Sequence, residues 1–307
     1  MKVLRRMAKS IEDIVREGYD IWRRNMLIGL PFISSLLLEI LTGAFALILM
    51  GIILASLNIF FNNVLIIIAF LFLSLCLVVI LLNIIKSFFI AGAVGMSKEA
   101  IETGRTSFGD MMKYGKRKFL ELFIANMLIF ALSLLGGIIL IPSIIAFKLN
   151  MFNLALSLIL VSSLLFGLYL ICLNVVMILV PFSIVIRDIG GIDGLQDSYS
   201  VVMRNKLSVI LLLFVSYGLT WAAEMLSNAM FSFFGIIPIL GAIISLGFLI
   251  FYALFLAGII TPIITIWWTL LYIDRTGIKL EGVSYETDHK IPEEKLKHII
   301  TSEPIYV

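Results

Sequence analysis

The sequence predicts an all-α polytopic membrane protein with six transmembrane helices, on three observations. Of its 307 residues, 61% are hydrophobic, and the mean hydropathy is +1.13, more apolar surface than a water-facing fold can cover. Six nearly uncharged stretches, each longer than the ~20 residues that cross a ~30 Å hydrocarbon core as helix, are separated alternately by charged and by almost charge-free segments. None of them shows the alternation over roughly ten residues that marks a β-barrel strand.

The stretches run Leu27–Leu57, Val64–Val94, Phe119–Phe147, Leu154–Ile186, Leu207–Phe234 and Ile236–Ile273. Their excess length implies tilt, kinks or ends projecting into the headgroups. The last is interrupted by Pro238, Gly241 and Pro262; one pass is expected, with two shorter passes as the alternative. Of the 23 Lys and Arg residues, 21 lie before Leu27, in Lys98–Lys118, in Arg187–Lys206 or after Asp274. Basic flanks stay cytoplasmic, so both termini are expected in the cytoplasm of a cell-membrane protein. The two remaining cations are Lys148, in an opposite loop, and Lys86, inside the second span. The net charge of +3 is no nucleic-acid signature, because the basic residues sit at span ends. The first 26 residues are charged throughout, so no cleavable leader is expected.

Three segments on the basic side look like one unit, a short amphipathic helix leading into a pair of spans, giving repeats of about 10–95, 103–186 and 190–273 within one membrane domain (1–273), followed by a cytoplasmic tail (274–307). Glu17, Asp110 and Asp197 align; Tyr19, Met112 and Tyr199 follow; then Arg24, Arg117 and Arg204; then Asn25, Lys118 and Asn205. In the first helix Ile11, Ile14, Val15, Gly18, Tyr19 and Trp22 share one face. Ser10 with Asp13, Ser107 with Asp110, and Asp193 with Gln196 read as capping boxes. Such helices are expected at the interface, apolar face in lipid or against the bundle, with Arg24, Arg117 and Arg204 near lipid phosphates. Parallel hairpin repeats differ from the inverted repeats of many carriers.

Polar residues inside the spans form the candidate site. Glu39 lies roughly 20 Å and Lys86 roughly 15 Å from the basic side at the helical rise, so the two can meet, either as a proton or substrate site or as a structural ion pair. Asn83 and Asn174 occupy similar depths in spans two and four and are expected to bond between helices. Glu224, roughly 27 Å in, belongs with Trp221 at the opposite interface, and Glu121 is read as an acid at the start of a helix. Pro181 and Pro262 are expected to kink their spans, whereas Ala91, Gly92 and Gly95 permit close approach in span two.

Metal, cofactor and catalytic sites are not expected. Both histidines, His289 and His298, lie in the tail, and Cys76 and Cys172 lie in separate spans with no C-x-x-C spacing. No Gly-rich phosphate loop opens a helix. Within the tail, Pro292–Ile300 is expected to form a short helix.

Two stretches carry a resemblance: Pro181–Lys206, PFSIVIRDIGGIDGLQDSYSVVMRNK, and Thr261–Gly282, TPIITIWWTLLYIDRTGIKLEG. They resemble prokaryotic, including archaeal, six-span proteins related to the glycerophosphodiester phosphodiesterase membrane domain, with Tyr272, Asp274, Arg275 and Glu281 as the matching exit residues. The spacing over Thr276–Leu280 departs from the compact form of that motif. The resemblance implies the six-span fold but not hydrolysis, which in that family belongs to a separate soluble barrel. The expected function is therefore non-enzymatic binding of membrane lipid, or of a partner protein or second copy, at the cytoplasmic leaflet. The alternative is a permease for a small or amphiphilic solute lined by Glu39, Lys86, Asn83 and Asn174.

Overall fold

A computed structural model describes residues 9–60, 64–234 and 240–278, and among these every regular element is helical. In chain order they are α1 (Ile11–Arg24), α2 (Leu30–Phe60), α3 (Val64–Thr103), α4 (Phe108–Gly136), α5 (Ile141–Lys148), α6 (Phe152–Met177), α7 (Val180–Arg187), α8 (Gly191–Arg204), α9 (Lys206–Phe234), α10 (Leu240–Phe255) and α11 (Thr261–Thr276). Six segments are long and apolar enough to cross a bilayer: Met26–Leu54, Ala69–Thr103, Phe108–Lys148, Phe152–Arg187, Lys206–Phe233 and Ile244–Thr276. The protein is an all-α, multi-pass membrane protein. The tail helix expected over Pro292–Ile300, both histidines, Pro238 and Glu281 lie outside the described residues.

α3 is the central element, packing on α2, α4, α7 and α11. The buried core is concentrated at the charged end of the bundle, around Met96, Leu122, Ile184, Ile266, Leu271 and Tyr272. The opposite halves of the spans turn residues such as Phe45, Leu47, Phe72, Leu156 and Leu164 outward. The physics of lipid explains the asymmetry: tails are as apolar as leucine, so helices gain no hydrophobic energy by packing on one another in hydrocarbon. Tight packing is then needed chiefly where backbone turns and charges must be shielded.

Glycines set the closest approaches. A Cβ on Gly95 would lie 2.2 Å from the Tyr114 ring, and one on Gly92 would lie 2.8 Å from Met111. These two positions let α4 lie directly on α3. At Gly18 the added carbon would lie 2.3 Å from Trp267, whose indole N–H donates to the Val15 carbonyl at 3.0 Å. α1 therefore turns Ile14 and Gly18 onto α11, so its apolar face lies against the bundle. Tyr19, expected on that face, is instead 49% exposed and tilts onto Trp22.

The column holding Asn25, Lys118 and Asn205 decides whether the chain breaks. Asn25 and Asn205 each cap a short helix with non-helical backbone, φ −132° and −125°, and the side-chain amide of each donates to a carbonyl four residues back. An amide that bonds its own backbone competes with helix continuation. Lys118 has no such option, so α4 runs unbroken from Phe108 to Gly136, where a separate short helix is expected from sequence. Glu121 consequently sits inside a helix rather than at its start, 4.0 Å from Lys118.

The boxes at Ser10 with Asp13 and Ser107 with Asp110 are complete. The third is not: α8 is capped by Gly190 with no side-chain bond. Asp193 stands three residues after a glycine that has no hydroxyl to offer. The two prolines stand where the helical hydrogen-bonding pattern changes. Pro181 opens α7 after a break from α6, and Pro262 opens α11 after a π-helical turn at Leu256–Ile260. Residues 240–276 are one continuous helical run, so they make a single pass.

Candidate functional site

Three polar assemblies sit at the charged end. In the first, Lys118, only 5% exposed, places its ammonium 2.7 Å from an Asp188 oxygen and donates to the Ile189 carbonyl at 3.3 Å. Arg117 pairs with the other Asp188 oxygen. Asp188 occupies the left-handed region at φ 60° where α7 ends, a conformation aspartate tolerates better than bulkier residues. The Lys118 hydrogen bond, with further help from both cations, holds the Asp188 carboxyl below its ordinary range against a smaller opposing effect of burial.

The second assembly joins three elements. Asp197 of α8 accepts from Arg187 of α7 at 2.5 Å and from the hydroxyl of buried Tyr272 of α11. The third ties the two ends of the membrane domain together. The backbone N–H of Lys9 donates to Asp274 at 3.2 Å, and Arg275 donates to the Lys9 carbonyl at 2.9 Å and to Asp274 at 2.6 Å. Tyr272, Asp274 and Arg275, singled out as exit residues, are thus fastening residues.

Asn25 adds a fourth tie. Its amide donates to the Gly104 carbonyl at 3.2 Å and its oxygen accepts from Thr106 N–H at 3.1 Å, linking α1 to the α3–α4 connection. Beside it opens a cleft of about 510 Å³, bordered by Arg16, Asp20, Arg24 and Asn25 among others. Of the acids there, Asp13 is engaged in the α1 cap and Glu17 with Lys9 at 2.5 Å. The bond from Ser10 lowers the Asp13 carboxyl from its ordinary range.

Of the three expected headgroup arginines, Arg117 is committed to Asp188, whereas Arg24 and Arg204 are exposed in the last turns of α1 and α8. Within the membrane, Glu39 and Lys86 do meet, at 3.4 Å between α2 and α3, and Glu39 also accepts from Ser35 at 2.7 Å. Among the described residues, Asn83 and Asn174 do not bond between helices. Each donates to its own helix, to Val79 and Leu170 respectively. A carbonyl four residues back is always within reach of a helical asparagine, and it satisfies the amide without a partner helix. An interhelical amide bond is made instead by Asn126, which donates to Ser87 at 3.1 Å. Its sequence signal is a lone amide in span three, without the matched depth of the other two.

A second cavity, about 760 Å³, lies inside the membrane-spanning region between α4, the α6–α7 break and α9. Asn126, Asn174 and Tyr217 line it amid apolar walls. Of the four intramembrane candidates, only Asn174 borders this cavity; Glu39, Lys86 and Asn83 do not.

The family model described as a domain of unknown function, DUF7847, matches residues 82–265, more than half of the chain, so the chain belongs to that family. No curated protein and no solved structure matches it.

Proposed function

We propose that this DUF7847 protein is a non-enzymatic component of the cell membrane, with both termini cytoplasmic, that binds anionic lipid at the face bearing α1 and α8. It would be built as three hairpin repeats, each entered from that face. The observation that carries the reading is the distribution of arginine partners. Arg24 and Arg204 are exposed at equivalent helix ends and form no ion pair among the described residues, while Arg117 and Arg187 are spent on Asp188 and Asp197. A cation near an anionic leaflet contributes about 1 kcal/mol, so these two, with Arg16 and Lys206 near them in sequence, favour phosphate-bearing headgroups at that surface. The resemblance to phosphodiesterase-associated membrane domains agrees with a lipid-facing role that needs no catalytic group.

The permease reading gains less support. It requires Glu39, Lys86, Asn83 and Asn174 on one path, whereas Glu39 and Lys86 are paired and Asn83 and Asn174 are bonded to their own helices.

The test is reconstitution of the full chain in nanodiscs of phosphatidylcholine with and without phosphatidylglycerol, counting retained lipid by native mass spectrometry. Arg24→Ala with Arg204→Ala should abolish the preference for the anionic lipid, and Arg117→Ala should leave it. An unchanged preference in the double variant would overturn the reading. Orientation is checked by labelling Lys148→Cys in a background without native cysteines, in intact cells; access from the cytosol alone would refute it.

A further inference from the structure

We propose that the intramembrane cavity between α4, the α6–α7 break and α9 is a binding site for an uncharged amphiphile that enters sideways from the bilayer. This site is separate from the anionic-lipid face and does not depend on it.

The cavity exists because the chain leaves α9 poorly covered. α9 packs chiefly on α10, and α6 loses its continuity at Ile178 and Leu179, where Pro181 deprives the next turn of a backbone donor. At about 760 Å³ the space falls in the ~300–1,000 Å³ range of small-molecule sites.

Its lining identifies the ligand's chemistry. Among the described residues, no Lys, Arg, Asp or Glu borders it. A charged group at that depth would remain unpaired at a cost of several kcal/mol, so the ligand is neutral there. Apolar walls alone would give no preference over ordinary lipid, since tails contact leucine as well as leucine does. Selection therefore falls to Asn126, Asn174 and Tyr217. Asn126 spends one N–H on Ser87 and Asn174 one on Leu170, which leaves each amide a second donor and its carbonyl. Tyr217 adds a hydroxyl that both donates and accepts. Counted along their helices from Lys118, Arg187 and Lys206, the three stand roughly 12, 20 and 16 Å from the charged end at the helical rise. That is within the hydrocarbon core, where the three can bond a hydroxyl, ester or ketone carried on a hydrocarbon frame.

The experiment uses the full chain in phosphatidylcholine vesicles with a diazirine-bearing long-chain alcohol as probe, mapping adducts by peptide mass spectrometry. Labelling should concentrate on the facing parts of α6 and α9, and unlabelled hexadecanol should compete with it. Leu213→Trp, which fills the space, should lower labelling fivefold or more. Asn174→Leu, which keeps volume but removes the amide, should lower it about threefold to tenfold, the worth of one hydrogen bond. Leu160→Trp, on an outward face of α6, should change nothing. Even labelling of all lipid-facing surfaces, insensitive to either groove variant, would overturn the proposal. Equal labelling of the groove by a diazirine fatty acid at pH 9 would overturn its assignment to neutral ligands.

Discussion

Replacing Gly18 by alanine should undock α1 from the bundle, and the contact geometry sets the size of the effect. The new methyl carbon would lie 2.3 Å from Trp267 Cδ1 and 2.8 Å from Nε1, well inside van der Waals contact, and the indole cannot retreat without stretching its 3.0 Å bond to the Val15 carbonyl. Overpacking of this kind costs about 1–3 kcal/mol, and the lost hydrogen bond adds about 1 kcal/mol. Against this, alanine improves on glycine in a helix by about 1 kcal/mol. The net is a loss of about 2 kcal/mol, or roughly thirtyfold in the docking equilibrium. Amide hydrogen exchange over residues 11–24 in detergent or nanodiscs reads this directly, since local opening exposes those amides; protection should fall by about that factor while α3 is unaffected. Gly43→Ala is the control, because a methyl there meets nothing within 4 Å, and it should be neutral or stabilising. Unchanged or increased protection of α1 in Gly18→Ala would show that Trp267 does not clamp it.

Three further outcomes are expected. Asp188→Ala should destabilise the charged end by about 1–3 kcal/mol, less than the ~3–5 kcal/mol of a fully buried pair because Asp188 itself is half exposed; Lys118→Met together with Asp188→Asn should recover most of the loss in thermal melts. The carboxyl of Asp188 is lowered on folding, so its contribution is complete above the ordinary aspartate range near 3.8 and is lost as pH falls through the still lower folded value; acid melts of wild type and Asp188→Asn should converge there. A double-mutant cycle on Glu39→Gln and Lys86→Met, scored by folded yield, should show coupling, and additive losses would remove the pair seen at 3.4 Å.

Much of the charged end was half-legible. Ser10 with Asp13 announced a cap because the hydroxyl and the acid stand at the required spacing, and the structure forms it. The same spacing at Asp193 and Gln196 forms no box, since capping depends on which residue leaves the helix, and here that is Gly190. Asn83 and Asn174 lie at matched depths, yet depth along the chain says nothing about which neighbour an amide faces. Tyr217 and Asn126 stood without any repeated spacing, so their convergence on one cavity had no trace in the sequence.

Hydropathy and the placement of charges determined by themselves that this chain crosses a bilayer six times as helix, because covering apolar surface and satisfying every backbone group in hydrocarbon leave little other choice. Which helices touch was decided only by tertiary structure. In lipid the apolar faces are interchangeable energetically, so partner choice rests on a few close approaches and ion pairs, such as Gly18 on Trp267, Gly95 on Tyr114 and Lys118 with Asp188, between residues distant in sequence. The cavity beside α9 follows from the same cause, as the gap left where, among the described residues, no such contact draws α9 onto α4 or α6.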